Sequence, residues 1–221
     1  MLEKNTRQSI IALIQREVVP AVGCTEPIAV ALCTARATET LGQRPEKITV
    51  MLSANILKNA MGVGIPGTGM IGLPIAIALG AIVGRSEYEL EVIKDVTPET
   101  LEEGKAYVDE KRIDIRLKAG ITEKLYIDVV CEAAGSKAEA VISGSHTNFV
   151  YISRDGETLL DVKNTGCEDG DNGNPELCMR TVYDFATTTP VDEIAFILKT
   201  RQYNLKAAEE SVKGNFGHCL G

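Results

Sequence analysis

The chain has 221 residues, 44% of them hydrophobic, enough to bury a sizeable core as one large or two small domains, and this composition argues against extended disorder. Its 23 Lys and Arg against 31 Asp and Glu leave a formal net charge of -8. The two signs are interspersed and no dense basic stretch is present, which argues against nucleic acid as a partner.

The first residues, MLEKNTRQSIIALIQRE, carry charges at both ends of a short apolar stretch and show no small-residue cleavage site, so no signal peptide is expected. Ile10, Ile11, Ile14 and Val18 recur at helical spacing over residues 6 to 18, and Pro20 stops that helix. A turn through Val22 and Gly23 leads to Cys24. Thr25 then serves as N-cap to a second helix starting near Pro27 and running to about Leu41. Ile48 to Leu52 alternates like a strand. The glycine-rich run SANILKNAMGVGIPGTG is expected to be a structured loop. Met70 to Val83 is the longest apolar run, shorter than the roughly 20 residues that cross a bilayer, and is expected to be a buried helix. A further helix covers Thr97 to Glu110 after its Thr-Pro start.

From Ile113 the pattern changes to four alternating segments, IDIRL, LYIDVVCE, AEAVISG and NFVYIS, which predict an antiparallel sheet. The polar run NTGCEDGDNGN follows, and helical periodicity returns after Pro175 through Val212. The expected fold class is α+β, with helices packed against a mostly antiparallel sheet. The expected organisation of residues 1–221 is a helical segment over 1–45 and an α+β body over 46–221. Six cysteines without paired spacing predict reduced thiols and a cytoplasmic, membrane-free location.

Cys24 lies between a helix-stopping proline and a helix start, where backbone amides favour a thiolate, the form a metal needs. Taken alone it reads rather as a small core thiol. Cys33, Cys131, Cys167 and Cys178 show no CxxC spacing and are expected to be structural. In the second constellation Ser53, Asn55, Lys58 and Asn59 follow a strand, while Gly67, Thr68 and Gly69 precede a helix. Amides and a lysine in such a place suit a small anionic ligand; alternatively the glycines only make tight turns. GTGMIG fits GxGxxG, but no strand immediately precedes it, so a dinucleotide site is not expected. His146 in GSHTNF and His218 in GNFGHCLG are the two histidines; each is a candidate base or a turn-stabilising side chain. The acidic run CEDGDNGN lacks the full calcium-loop pattern.

Four runs, VVPAVGCTEPIAVAL, SANILKNAMGVGIPGTGMIGLPIAIALGA, VISGSHTNFVYI and GNFGHCLG, closely resemble, in this order, the amino-terminal half of the L-cysteine desulfidases, a family that includes serine dehydratase alpha-chain-like proteins. The resemblance implies a pyridoxal-independent lyase that converts L-cysteine, or L-serine by the same logic, to pyruvate, with ammonia and hydrogen sulfide released from cysteine. It implies a [4Fe-4S] cluster with Cys24 as one ligand, His146 and Lys58 as catalytic groups, and Ser53, Asn55, Asn59, Thr68 and Asn148 around the substrate.

Members of that family continue beyond GHxLG into a half that carries the other two cluster cysteines. The resemblance therefore implies a carboxy-terminal half or second subunit as partner, and a chain that binds no cluster and has no activity alone. Homo-oligomerisation stays open. Two other functions compete: a non-catalytic amino-acid-binding or regulatory module, and a pyridoxal-phosphate lyase with Lys58 as Schiff base, which lacks a phosphate-cup pattern.

Overall fold

The computed structural model describes residues 2–21, 23–162 and 175–214. The polar run at 164–174 and the GHCLG run with His218 lie outside the described residues. In chain order the helices are α1 (Lys4–Glu17), α2 (Thr25–Leu41), α3 (Ala54–Ala60), α4 (Leu73–Ile82), α5 (Pro98–Asp109), α6 (Met179–Thr188), α7 (Val191–Ile194) and α8 (Lys199–Lys213). The strands are β1 (Lys47–Leu52), β2 (Gly64–Ile65), β3 (Met70–Ile71), β4 (Ile113–Leu117), β5 (Tyr126–Ala133), β6 (Ser136–Ser143), β7 (Phe149–Arg154) and β8 (Glu157–Asp161).

The fold is α+β. Six strands form one sheet in the order β4-β1-β5-β6-β7-β8, antiparallel except for the β1–β4 pair, and β2 with β3 forms a separate hairpin. The four predicted strands are all present, and a fifth, β8, pairs with β7 across Asp155 and Gly156. The glycine-rich run after β1 differs from its expectation. It opens with helix α3, because Ser53 caps it by accepting the Ile56 amide and ANILKNA has no glycine to break it. GTGMIG forms the hairpin turn and β3 rather than a strand-to-helix turn.

The chain divides into two units, one comprising Ala21–Gly166 and the other Met1–Pro20 with Cys167–Gly221. The dividing line thus falls at residue 20 rather than 45, since α2 packs on the sheet that follows it. The helical unit contains α1, α6, α7 and α8. Within it Arg7 forms a bidentate pair with Glu193, both contacts at 2.9 Å, and Gln8 donates to the same carboxylate.

In the sheet unit α2 is the central element. Eleven of its 17 residues are buried, which marks a helix enclosed on more than one side. One side lies on β5 and β6, where the Cys33 thiol donates to the Ala140 carbonyl at 3.1 Å. Another side meets α4, which is apolar throughout and buried over eight of ten positions. The two helices approach so closely that a Cβ on Gly80 would lie 2.5 Å from the Ala31 carbonyl oxygen. Thr97 closes a capping box with Thr100 at the start of α5, which packs on α4. Among the described residues no helix is long and apolar enough to cross a membrane.

Alternation along β5 points Ile127, Val129 and Cys131 toward α2 and Asp128 to the opposite face of the sheet. Asp128 is nonetheless 1% exposed. Lys118, one residue past β4, donates to its Oδ2 at 3.0 Å, while Oδ1 has no partner among the described residues. The hydrogen bond to Asp128 raises the Lys118 pKa.

Two predictions follow from this packing. Gly80→Ala forces its new methyl against helix backbone and is expected to cost about 3 kcal/mol, read as a melting temperature about 5–10 °C lower. Gly62→Ala, with open space around it, serves as the control and should change stability by less than about 0.5 kcal/mol. Lys118→Met strands a buried carboxylate and is expected to cost about 2 kcal/mol, with Asp128→Asn on top restoring most of it. Because the pair raises the lysine's folded pKa, its contribution is complete below the unfolded value of about 10.4 and disappears as pH rises through the folded one. Denaturation midpoints of wild type and Lys118→Met should therefore converge as the pH rises through the folded value.

Candidate functional site

The singled-out runs meet at one end of the sheet. Register pairs Leu52 with Ile127 and Tyr126 with Ser143, so the end of β1, the start of β5 and the end of β6 lie together. Helix α2 points its first turn the same way. Its later residues lie at the other end, with Thr38 beside Cys131 and the Gln43 amide donating to Ala133 just beyond the helix. Ser53 and the GSHTN turn therefore lie together through Lys124 and Leu125, and the GCTEP turn meets the other end of α3 through Glu26 and Asn59.

Cys24 precedes the first turn of α2, half-buried. Its thiol donates to Glu26 Oε2 at 2.9 Å, and Asn59 Nδ2 of α3 donates to the other carboxylate oxygen, Oε1, at 3.2 Å. Thr25 Oγ1 donates to Oε2 at 3.3 Å. Gly23, at φ +80°, sits so near Pro66 that a Cβ there would lie 2.5 Å from the ring. The GIPG turn thereby braces the GCTEP turn, and a chain of contacts runs from the β2–β3 hairpin through Cys24 and Glu26 to α3.

Helix-start amides were expected to favour a Cys24 thiolate. The Glu26 and Thr25 amides do act in that direction, but burial and then the Glu26 carboxylate outweigh them and raise the thiol's pKa. Glu26 itself is held below the ordinary carboxylate range, first by the Cys24 S–H bond. The sulfur is thus a protonated donor aimed at a carboxylate. Glu26 was not among the residues singled out from the sequence, although its place two residues after the cysteine, in a helix's first turn, is the signal for it.

Ser53 is buried. Its hydroxyl donates to the Lys124 carbonyl at 2.7 Å besides capping α3. Beside it a cleft of about 350 Å³ lies between the start of α3 and the loop from Leu117 to Lys124. Ser53, Asn55, Lys118 and Thr122 are among its lining residues, and Asn55 is exposed there. The loop and both its lysines were not read from the sequence.

The other candidates are placed differently. Asn59 is turned toward Glu26, whereas Lys58 on the same helix is exposed and has no hydrogen-bond or ion-pair partner among the described residues. Thr68 is buried, its hydroxyl donating to the Ile65 carbonyl at 2.6 Å and accepting from the Met70 amide at 3.0 Å, so it is engaged within the hairpin turn. Asn148 donates to the Ser143 carbonyl at 2.9 Å and closes the turn that carries the half-buried His146.

Cys24, Cys33, Cys131 and Cys178 are free thiols. Burial pushes Cys131 up to about 12 and Cys33 well above its ordinary value, which keeps both inert within the core. Among the described residues no group of three or more His, Cys, Asp or Glu is placed to hold a metal ion. Cys24 supplies one thiol, and a cluster there would need its remaining ligands from elsewhere.

The site therefore combines a thiol–carboxylate–amide chain with an adjacent polar cleft, on an α+β scaffold. In sequence the chain is 64% identical over 220 residues to a UPF0597 protein of Bacteroides fragilis, matching 100% of this chain and 51% of the relative. It is 62% identical over 218 residues to a UPF0597 protein of Bacteroides thetaiotaomicron and 47% identical over 226 residues to one of Porphyromonas gingivalis, covering 51% and 52% of them. The chain spans about half the length of these curated relatives. No family model and no solved structure matches it.

The four described thiols should be ordered by these environments. Cys178 is exposed, and its hydrogen bonds with Thr181 lower its pKa, so iodoacetamide at pH 8 should label it first, Cys24 more slowly and Cys33 and Cys131 last, as read by peptide mass mapping. Glu26→Gln removes the carboxylate that disfavours the thiolate and should speed Cys24 labelling several-fold.

Proposed function

We propose that the chain is the amino-terminal part of a [4Fe-4S]-dependent lyase of the L-cysteine desulfidase and L-serine dehydratase-like type, acting on L-cysteine or L-serine to give pyruvate. The observation that carries this reading is the convergence of the GCTEP, SANILKNA, GIPGTG and GSHTN runs on one end of the sheet. Sheet register brings runs about 120 residues apart in sequence to one end, and a polar end of this kind beside a cleft supports a shared small-molecule site. The half-length match to the relatives agrees with a chain that forms one part of a larger site.

In this reading Asn55 and the polar wall of the 117–124 loop take the carboxylate and amine of the amino acid. Ser53 holds that wall in place through Lys124. Elimination needs a base for the α-proton, and His146, in the turn at the same end, is the candidate; Lys58, exposed on α3, is the second titratable group. Glu26 and Asn59 fix the direction in which Cys24 points. The cluster would take Cys24 as one ligand, and its other ligands would come from a carboxy-terminal half or second subunit. The described residues alone do not form a cluster site. The free thiols and the lack of a membrane-spanning helix among the described residues support a cytoplasmic setting.

A second reading, an amino-acid-binding or regulatory module, is favoured by the cleft's lying wholly within the sheet unit. One experiment separates the two. The chain is fused to the remaining residues of the Bacteroides fragilis relative, reconstituted anaerobically with iron and sulfide, and assayed for pyruvate from L-cysteine and L-serine. The lyase reading expects pyruvate, lost in Cys24→Ala, and a KM about tenfold higher in Asn55→Ala, equivalent to about 1.4 kcal/mol for one hydrogen bond. Calorimetric binding of either amino acid without pyruvate formation would give the module reading instead.

A further inference from the structure

Two helices of the helical unit carry apolar stripes directed to solvent. Along α6 the apolar residues Met179, Val182, Tyr183 and Ala186 fall at i, i+3, i+4 and i+7, the stripe by which an amphipathic helix normally buries itself. Here that stripe is outside: Met179 is 85%, Val182 47% and Tyr183 64% exposed. The half-buried positions of this helix are instead Thr181, Asp184 and Phe185.

Helix α8 repeats the pattern with a different period. Leu198, just before the helix, Leu205 and Val212 recur every seven residues, one apolar position in each two turns. All three are exposed, and no residue of α6, α7 or α8 is buried. Single exposed apolar residues are ordinary, but two periodic stripes in one unit mark a surface that is covered in the working protein.

We propose that this face is the docking surface for the part of the longer protein that the present chain does not span. The occupant follows from length. The Bacteroides fragilis relative matches this chain from end to end at 64% identity, yet is about twice as long, so a further polypeptide of comparable size accompanies these helices in it. Its contacting surface must be apolar rather than charged, because the stripes themselves carry no charge. The inference rests on the length of the relatives and the exposure of the stripes, and is independent of the lyase reading.

The test compares two proteins by amide hydrogen exchange: the 221-residue chain and its fusion to the remaining residues of the Bacteroides fragilis relative. Amides of α6 and α8 are expected to exchange at least about tenfold more slowly in the fusion. Val182→Glu and Leu205→Glu, at exposed positions, should leave the melting temperature of the 221-residue chain unchanged but restore fast exchange of α6 and α8 in the fusion. Equal exchange in the two proteins, or protection in the fusion that survives both substitutions, would overturn the assignment. A stable dimer of the 221-residue chain in sedimentation, dissociated by the same substitutions, would overturn it in favour of a second copy of this chain. Amino-acid turnover enters none of these readouts, so their failure and that of the proposed activity are distinguishable.

Discussion

The sheet unit depends on how closely α4 can lie against α2. The Ala31 carbonyl occupies the space that a side chain on Gly80 would need, and Gly84 similarly approaches Ala35. This contact lets a helix with small residues on several sides be enclosed between a sheet and a second helix without leaving voids. Everything at the candidate site hangs from that arrangement. The axis of α2 sets where Cys24 and Glu26 emerge, and α3 reaches them because β1, paired with β5, delivers the chain to Ser53.

Most of the scaffold was legible in the sequence because its periodicities are strong. The alternation of IDIRL, LYIDVVCE, AEAVISG and NFVYIS predicts four strands that the structure contains, and Thr97-Pro98 marks the start of α5. The run SANILKNA was misread because the glycines that follow it dominated the reading, although Ser53 as N-cap was available to start a helix. Strand β8, ETLLD, is short, flanked by Asp155 and Gly156, and alternates poorly, so it depends on β7 for its definition. The boundary at residue 45 failed for a related reason: α2 looks like a continuation of a helical amino terminus, and only its packing assigns it to the sheet.

The candidate site was legible as a set of runs but not as geometry. Cys24, Ser53, Asn55 and Asn59 were identified by type and position, whereas Glu26, which joins Cys24 to Asn59, emerges only when two helices 33 residues apart are brought together. Thr68 and Asn148 illustrate the opposite. Each is a hydrogen-bonding residue in a glycine-containing turn, and in each the polar group is engaged by the turn itself. Nothing in a single sequence separates a side chain that closes a turn from one that greets a ligand, because both are polar, small and next to glycine.

The approach of Gly23 to Pro66 bears on how portable the site is. Because the ring of Pro66 fills the volume above Gly23, the direction of the Cys24 sulfur is set partly by a hairpin more than forty positions later in the chain. Transplanting GCTEP and its helix onto another scaffold would carry the thiol and the carboxylate but not the brace that orients them. A side chain at Gly23 would meet the Pro66 ring and, at φ +80°, would stay strained even if Pro66 were made smaller.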